Sequence, residues 1–332
     1  MKHRLAIVIP AFKADFFEAT LASIAAQTDR RFVLYIGDDA SPDDLYTIVS
    51  PYQSEIAVVY HRFEQNVGKE DLVAHWERCV ALANGEEWVW LFSDDDIMEA
   101  GCVSAFYDFL ENGNKDMRDV DLIHFDIKVI NENNRQVWPF KQFPVYLDGA
   151  GFFAHRVRGE LHSTVVEYIF RRHKWQQVGQ FERFDLAWFT DDATWIKLSS
   201  EHGIHSIVGP LVYWRYSGRN ISSQQASKEL VGRKVQSGLD FMKWAEGYFK
   251  RYGLADRTSS WEKTVYLLSV PLSSTALSWK EKILYADCIG TRMGMSWLGR
   301  VRAVIYVCFS GFLRLVRESF VGRAVKRNRG NV

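Results

Sequence analysis

The chain has 332 residues and carries 41 Lys+Arg against 41 Asp+Glu, so its formal net charge at pH 7 is zero. That length allows one large domain or two smaller ones, and the balanced charge removes nucleic acid as the main partner. Four cysteines, Cys79, Cys102, Cys288 and Cys308, lie far apart without a CxxC pair, which speaks against a disulfide framework or a zinc site and for reduced thiols in a cytosolic protein.

The start, Met1-Lys2-His3-Arg4, runs straight into a strand-like segment and is too short for a cleavable signal peptide. Residues 5–9 form a continuous apolar run ending at Pro10 and predict a first buried strand. Residues 16–27 carry Phe17, Leu21, Ile24 and Ala25 at helical spacing. A second strand is expected over 32–36, a short helix over 45–52, a third strand over 56–60 and a helix over 70–83 that stops at Asn84-Gly85. Residues 88–92 are a fourth strand, and the alternation predicts βαβ units and a mostly parallel sheet.

Two of these strands end in acid. The second runs into Gly37-Asp38-Asp39-Ala40-Ser41-Pro42-Asp43, and the fourth, Trp-Val-Trp-Leu-Phe, into Ser93 and then Asp94, Asp95 and Asp96. In an open parallel sheet, ligands bind beyond the carboxyl ends of the strands. Three adjacent carboxylates stay ionised together only when water or a cation screens them, and an all-oxygen set suits Mg²⁺ or Mn²⁺ shared with a substrate phosphate. The competing reading is a solvated loop whose last aspartate caps a helix starting near Met98. Asp38 and Asp39 have a similar alternative as a turn and cap, against a role for Asp39 in accepting hydrogen bonds from a nucleoside. Neither GxGxxG nor GxxxxGK[ST] occurs, which argues against nicotinamide-dinucleotide and P-loop sites.

The segments 5–10, 23–28 (Ser-Ile-Ala-Ala-Gln-Thr), 37–43, Asn66-Val67-Gly68 and 93–96 together resemble the nucleotide-sugar half of family 2 glycosyltransferases, in the family's order and at nearly its spacings. The resemblance covers about the first two-thirds of the chain. It implies a GT-A fold, a nucleotide-sugar donor and a divalent metal, Mg²⁺ or Mn²⁺. Residue by residue it puts Pro10, Ala11, Asp38, Asp39, Asn66, Gly68, Asp94 and Asp95 at the donor. Ser93 stands where many members carry Asp, so the metal pair reads as Asp94 and Asp96. His75, where the common pattern differs, reads as a packed or capping residue.

Past Gly101 the apolar spacing of Val103, Phe106, Phe109 and Leu110 predicts a helix. Residues 121–130 read as a strand, turning at Asn131-Glu132-Asn133-Asn134 and returning through 136–138. The aromatic, Pro- and Gly-rich stretch 138–153 reads as a loop, either on the acceptor side or over a satellite core. Asp191 and Asp192 open a helix that runs to about Ser200, and either can cap it. The resemblance implies more: Asp192 matches the family's catalytic base and Asp191 its supporting acid. Two short strands are expected at 203–208 and 211–215. The following loop, 214–222, resembles the segment that closes over the diphosphate, with Arg219 as a charge-assisted donor or, alternatively, a solvated side chain.

From Gln224 the composition turns helical. At the end, apolar residues between 301 and 316 are interleaved with Arg300, Arg302, Arg314 and Arg317, and Arg323, Lys326, Arg327 and Arg329 follow with Glu318 the only acid. The uncharged part, 303–313, is too short to span a bilayer. The expectation is a basic amphipathic helix on an anionic membrane surface. The alternative is a docked helix with a basic tail.

The whole predicts an α/β protein of the GT-A class, with a Rossmann-like, mostly parallel sheet flanked by helices over residues 1–223 and a helical C-terminal region over 224–332. The expected activity is an inverting transfer of sugar from a nucleotide-diphosphate donor, UDP-linked, to a glycan or lipid-linked glycan acceptor in surface polysaccharide assembly. The expected location is cytoplasmic, at the inner face of the plasma membrane. A sugar-phosphate nucleotidyltransferase and a non-catalytic membrane-associated scaffold are the alternatives. The first lacks its Gly-rich basic N-terminal loop here, and the intact aspartate clusters oppose the second.

Overall fold

The structure is a computed structural model that describes residues 4–112, 119–218 and 227–310. These residues form two compact units, one within Met1–Ser223 and Ala245–Arg257, the other within Gln224–Trp244 and Thr258–Val332. The first is a mixed sheet flanked by helices.

Its nine strands are β1 (Leu5–Ala11), β2 (Phe32–Asp38), β3 (Val58–Arg62), β4 (Trp88–Leu91), β5 (Ile97–Met98), β6 (Leu122–Ile130), β7 (Tyr146–Leu147), β8 (Tyr168–Arg171) and β9 (Ile204–Arg215). They pair in the order β3-β2-β1-β4-β8-β6-β9-β5, with β7 on β9. β1, β2, β3 and β4 are mutually parallel. β8 is antiparallel to both β4 and β6, so β6 runs with β4, and β9 is parallel to β6. The carboxyl ends of β1, β2, β4, β6 and β9 therefore share one edge, which the amino end of β8 joins.

The central strands are apolar on both faces because both are covered. Every residue of β4 is buried, and Leu5, Ile7, Ile9, Trp88, Trp90, Leu34 and Ile36 belong to one core cluster. That is the burial expected of parallel strands under helices. Here the helices are α1 (Phe17–Ala25), α2 (Leu45–Val49), α3 (Leu72–Val80) and α4 (Cys102–Asn112). Trp90 ties the halves together: its ring stacks on Phe125 of β6 at 5.1 Å, and its Nε1 donates to the Val166 carbonyl at 2.6 Å.

Three expectations change. No helix starts near Met98: α4 begins at Cys102, and Ile97–Met98 instead form β5 against Tyr213 and Val212. The three aspartates lie in a turn between strands, so they cap nothing. The two strands expected at 203–208 and 211–215 are one, because the pairing on β6 shifts between Phe125 and Ile127 and Gly209, at φ 135°, absorbs the slip. The stretch 138–153 holds β7 and the start of α5 (Gly149–Val157), whose first turn is capped by the Asp148 carboxylate accepting from Gly151 N at 2.6 Å. Two further helices follow in this unit, α6 (Arg172–Gln177) and α7 (Thr190–Ser199).

α8 (Lys228–Tyr252) supplies residues to both units. The second unit also holds α9 (Ser260–Ser273) and α10 (Trp279–Arg292), which pack on one another. Each begins with a reciprocal cap, Ser259 with Glu262 and Ser278 with Glu281. Residues 297–310 are helical.

Trp90→Phe keeps the stacked ring but leaves the buried Val166 carbonyl without its donor. Chemical denaturation should show a loss of about 1–3 kcal/mol. An unchanged midpoint would mean that this hydrogen bond contributes nothing.

Candidate active site

The turn after β4 buries Asp94, Asp95 and Asp96 at 5%, 5% and 1% exposure. Asp94 and Asp95 share Lys13, and Asp96 faces Arg215. Asp94 Oδ2 accepts from the backbone N–H of Phe12 and Lys13, at 2.9 and 2.8 Å. Lys13 Nζ lies 2.7 Å from Asp95 Oδ2 and 3.4 Å from Asp94 Oδ1. Burial by itself lowers the Lys13 ammonium, but the charges of Asp94 and Asp95 outweigh it and hold Lys13 above its ordinary range. Asp96 Oδ1 accepts from Arg215 N at 2.6 Å. Burial, then the charge of Asp95, pushes Asp96 well above the usual carboxylate range, and burial raises Asp94 too. The Arg215 side chain lies on the far side of this turn, with Nε donating to Asp95 O at 2.7 Å and Nη1 to Asn131 O at 2.9 Å.

This donor set fits a hard divalent ion. All its atoms are oxygens, the Lys13 ammonium shows a cation accommodated between Asp94 and Asp95, and burial holds the Asp94 and Asp96 carboxyls up even with Lys13 beside them.

At the end of β2 both aspartates are hydrogen-bonded within the chain. Asp38 Oδ1 accepts from Ser41 N at 2.7 Å, and Oδ2 from Tyr60 Oη and Arg62 Nη1 at 2.5 and 2.6 Å. Asp39 Oδ1 accepts from Val67 N at 2.9 Å and from Arg78, and Oδ2 from Gly68 N at 2.8 Å. A Cβ on Gly68 would lie 2.6 Å from that oxygen, so the close approach requires glycine. Asn66 closes the same turn by accepting from Lys69 N at 2.9 Å. Pro10 and Ala11 pair with Gly37 and Asp38, and Ala11 O accepts from Asp39 N at 2.9 Å. Burial pushes His75 down to about 4, and its neutral ring accepts from Arg78 Nε at 3.1 Å. It packs and orients, as expected.

Asp191 and Asp192 lie in the first turn of α7. Trp195 fixes that helix by stacking on Tyr168 of β8 at 4.6 Å, next to the edge reached by β4. Arg156 of α5 grips Asp192 with Nε on Oδ1 at 2.7 Å and Nη2 on Oδ2 at 3.1 Å. Its Nη1 donates to Leu161 O at 3.1 Å. Glu167 lies close by, wholly buried and accepting from Thr164 N and Oγ1 at 2.6 Å each, and burial pushes it up to about 7. Burial, then the charge of Asp192, pushes the Asp191 carboxyl up to about 8 against the pull of Arg156.

The sheet thus brings Asp94–Asp96, Asp38–Asp39 and Asp191–Asp192 to one edge. Arg219 lies outside the described residues. Sequence reading missed Lys13, Arg78, Arg156, Glu167 and Arg215. Only Lys13, two residues past Ala11, carried a local signal. Among the described residues, the one group of three His, Cys, Asp or Glu side chains whose ligand atoms converge within 4.8 Å is Asp121, Glu201 and His202. It lies at the opposite edge, before β6 and β9, and Lys174 and Arg171 already balance its charge.

The profile described as glycosyl transferase family 2 matches residues 6–182. That is more than half of the chain, and the chain belongs to this family. Among solved structures it is similar to TarS residues 1–349 from S. aureus in complex with UDP-GlcNAc, at 13% identity and TM-score 0.54, covering 94% of this chain and 92% of that one. It is similar to the mannosyltransferase PcManGT from Pyrobaculum calidifontis in complex with GDP-Man and Mn²⁺, at 14% identity and TM-score 0.50, covering 95% and 88%. GalNAc-T7 with UDP, GalNAc and Mn²⁺ matches at 13% identity and TM-score 0.51, covering 92% and 57%. A search of curated protein sequences gives no match. The fold is GT-A, and the protein is a glycosyltransferase.

The Asp191 carboxyl titrates near 8 when folded and near about 3.9 when unfolded. Between those values the native state holds a proton that the unfolded chain has lost, so stability falls as pH rises through the window. Asp191→Asn cannot ionise. Its melting temperature relative to the parent should climb from about pH 5 to about pH 8 and level off above that. A pH-independent difference would show that Asp191 titrates normally.

Proposed function

We propose that the protein is an inverting glycosyltransferase that moves a sugar from a UDP-linked donor to a hydroxyl of a glycan or lipid-linked glycan in surface polysaccharide assembly. The observation that carries this is that the β4 turn bearing Asp94–Asp96 and the amino end of β8, on which the helix of the Arg156-bound Asp192 stacks through Trp195, lie at one edge of the sheet. The nucleotide sugars named with two of the similar structures, and the Mn²⁺ named with two, support a nucleotide-sugar donor and a metal.

Asp94 and Asp96 would hold Mg²⁺ or Mn²⁺, which when bound neutralises the departing diphosphate as a Lewis acid. Pro10, Ala11 and Asp38 form the floor of the donor site. Asp39, Asn66 and Gly68 frame the nucleoside. Asp39 Oδ2, with one bond to Gly68 N, keeps acceptor capacity, and Arg78 sits at Oδ1 beside it. Asp95 keeps Lys13 at the phosphates, and Arg219, to which the family resemblance gives a role there, falls outside the described residues.

Asp192 is the base, and Arg156 orients it. Burial raises Asp191 to about 8, and Arg156 holds both oxygens of Asp192 in one direction. The acceptor hydroxyl attacks the anomeric carbon in line and its proton passes to Asp192. The bond from that carbon to the phosphate oxygen breaks, and the diphosphate leaves with the electron pair. One displacement inverts the anomeric centre.

A panel of nucleotide sugars with Mn²⁺ tests the class, by release of free nucleotide diphosphate. EDTA should abolish the release and Mn²⁺ restore it. Asp192→Asn should lower kcat about 10²–10⁴-fold with little change in donor KM. Nearly full turnover in that variant would place the base elsewhere.

The C-terminal region is proposed to hold the enzyme on an anionic membrane surface. Along the helix of residues 297–310, Trp297, Leu298, Ile305 and Phe309 are 57–71% exposed, while Ala303 and Val307 face inward. The basic residues from 314 to 329 lie outside the described residues. No helix of the described residues is long and apolar enough to cross a membrane. Full-length protein should co-sediment with phosphatidylglycerol vesicles at low salt and come off at high salt. A protein lacking 299–332 should stay in solution. Equal binding by both would assign the membrane contact elsewhere.

A further inference from the structure

Four aromatic rings that the chemistry above leaves unused gather where three distant segments meet. Trp138 comes from the return after β6, His162 from the stretch ahead of β8, and Trp214 and Tyr216 from the end of β9. The Trp138 ring lies 5.2 Å from Tyr216, 5.5 Å from His162 and 5.7 Å from Trp214, centroid to centroid. Trp214 and Tyr216 are alternate residues of one extended segment and share a side of it. Arg215, between them, turns its guanidinium the other way, to Asp95 O and Asn131 O.

Trp138 is 39% exposed, yet its backbone is held. Val137 N donates to Val129 O at 2.9 Å, and Gln136 Nε2 donates to Trp138 O at 2.8 Å. His162 Nε2 lies 3.1 Å from Pro139 O. An indole with three ring neighbours that is still 39% exposed offers apolar surface to a partner.

Its place narrows the partner. Arg215, between two of the rings, donates its backbone N–H to Asp96. Leu161, next to His162, gives its carbonyl to Arg156, which grips Asp192. The aromatic surface therefore lies one residue from Arg215, which touches Asp96, and one residue from Leu161, whose carbonyl binds the arginine that grips Asp192. A molecule seated there needs an apolar face for the indole and hydroxyls around its rim within reach of the carboxylates. A pyranose ring has both: axial C–H bonds on one face and hydroxyls at its edge.

We propose that Trp138, backed by His162, Trp214 and Tyr216, is the platform on which a pyranose ring of the acceptor glycan stacks. This rests on the glycosyl-transfer reading above. The stacked ring presents its hydroxyl edge to Asp192, and the platform selects acceptors whose C–H face is unobstructed.

The test uses the full chain and methyl β-glycosides of glucose, N-acetylglucosamine and galactose, observed by saturation-transfer NMR with irradiation of the aromatic protons. With the parent, saturation should be strongest at the axial ring protons, and Trp138→Ala should weaken binding about tenfold, the scale of one aromatic contact. Trp138→Phe, which keeps a flat ring and secures the test if the alanine variant folds poorly, should retain most of it. Equal binding by parent and Trp138→Ala overturns the platform. So does saturation of a detergent alkyl chain in place of the sugars, which would make the patch a lipid contact. Binding of UDP-sugar and Mn²⁺ to the parent is measured in parallel. If that fails, the donor reading falls. If it succeeds and no glycoside binds, the platform alone falls.

Discussion

Carboxylates crowded at one edge of a sheet stay buried only when positive charge or N–H groups are built in beside them, and this constraint shapes the whole catalytic unit. Asp94 and Asp95 share Lys13, Asp96 takes the Arg215 amide, Asp39 takes Arg78, Asp38 takes Arg62, and Asp192 takes Arg156. Leaving any of them alone in a low-dielectric setting costs several kcal/mol or forces it to hold a proton. Asp191 and Glu167, which have no arginine or lysine paired with them among the described residues, are pushed up by burial to about 8 and about 7.

The same constraint divides labour. An acid matched by an arginine is held in a fixed direction, which suits a base that must meet a hydroxyl in one geometry. An acid held up by burial is poised to gain from a cation. Asp96 is of that kind, since a backbone N–H is its main support and Asp95 opposes its charge. Stability is given up at this edge, as functional sites commonly require, and the core below offsets it. Trp90, Phe125, Trp195 and Tyr168 stack in the layers beneath the carboxylates and fix the segments that carry Glu167 and Asp192.

Much of the fold was legible in the sequence. β1, β2 and β4 announce themselves as unbroken apolar runs because both of their faces are covered, and the helices between them show the 3.6 period. The acidic clusters at the ends of β2 and β4 stand out for the same reason, as abrupt changes of polarity. What was illegible is non-local. Arg156 and Asp192 are 36 residues apart and Arg215 and Asp96 are 119 apart, and no periodicity joins such pairs. α5 was hidden because its Gly149-Ala150-Gly151 start follows a Pro- and aromatic-rich loop, and only the Asp148 cap betrays it. β9 read as two strands because Gly209-Pro210 looks like a turn, where pairing with β6 makes it a bulge.

The central claim is that the metal and donor meet at the carboxyl edge of the sheet. Anomalous scattering from crystals soaked with Mn²⁺ and a UDP-sugar locates the ion directly. The account predicts one strong peak within bonding distance of a carboxylate oxygen of Asp94 or Asp96 and of the diphosphate. A peak instead at Asp121, Glu201 and His202, with none at the β4 turn, would contradict it.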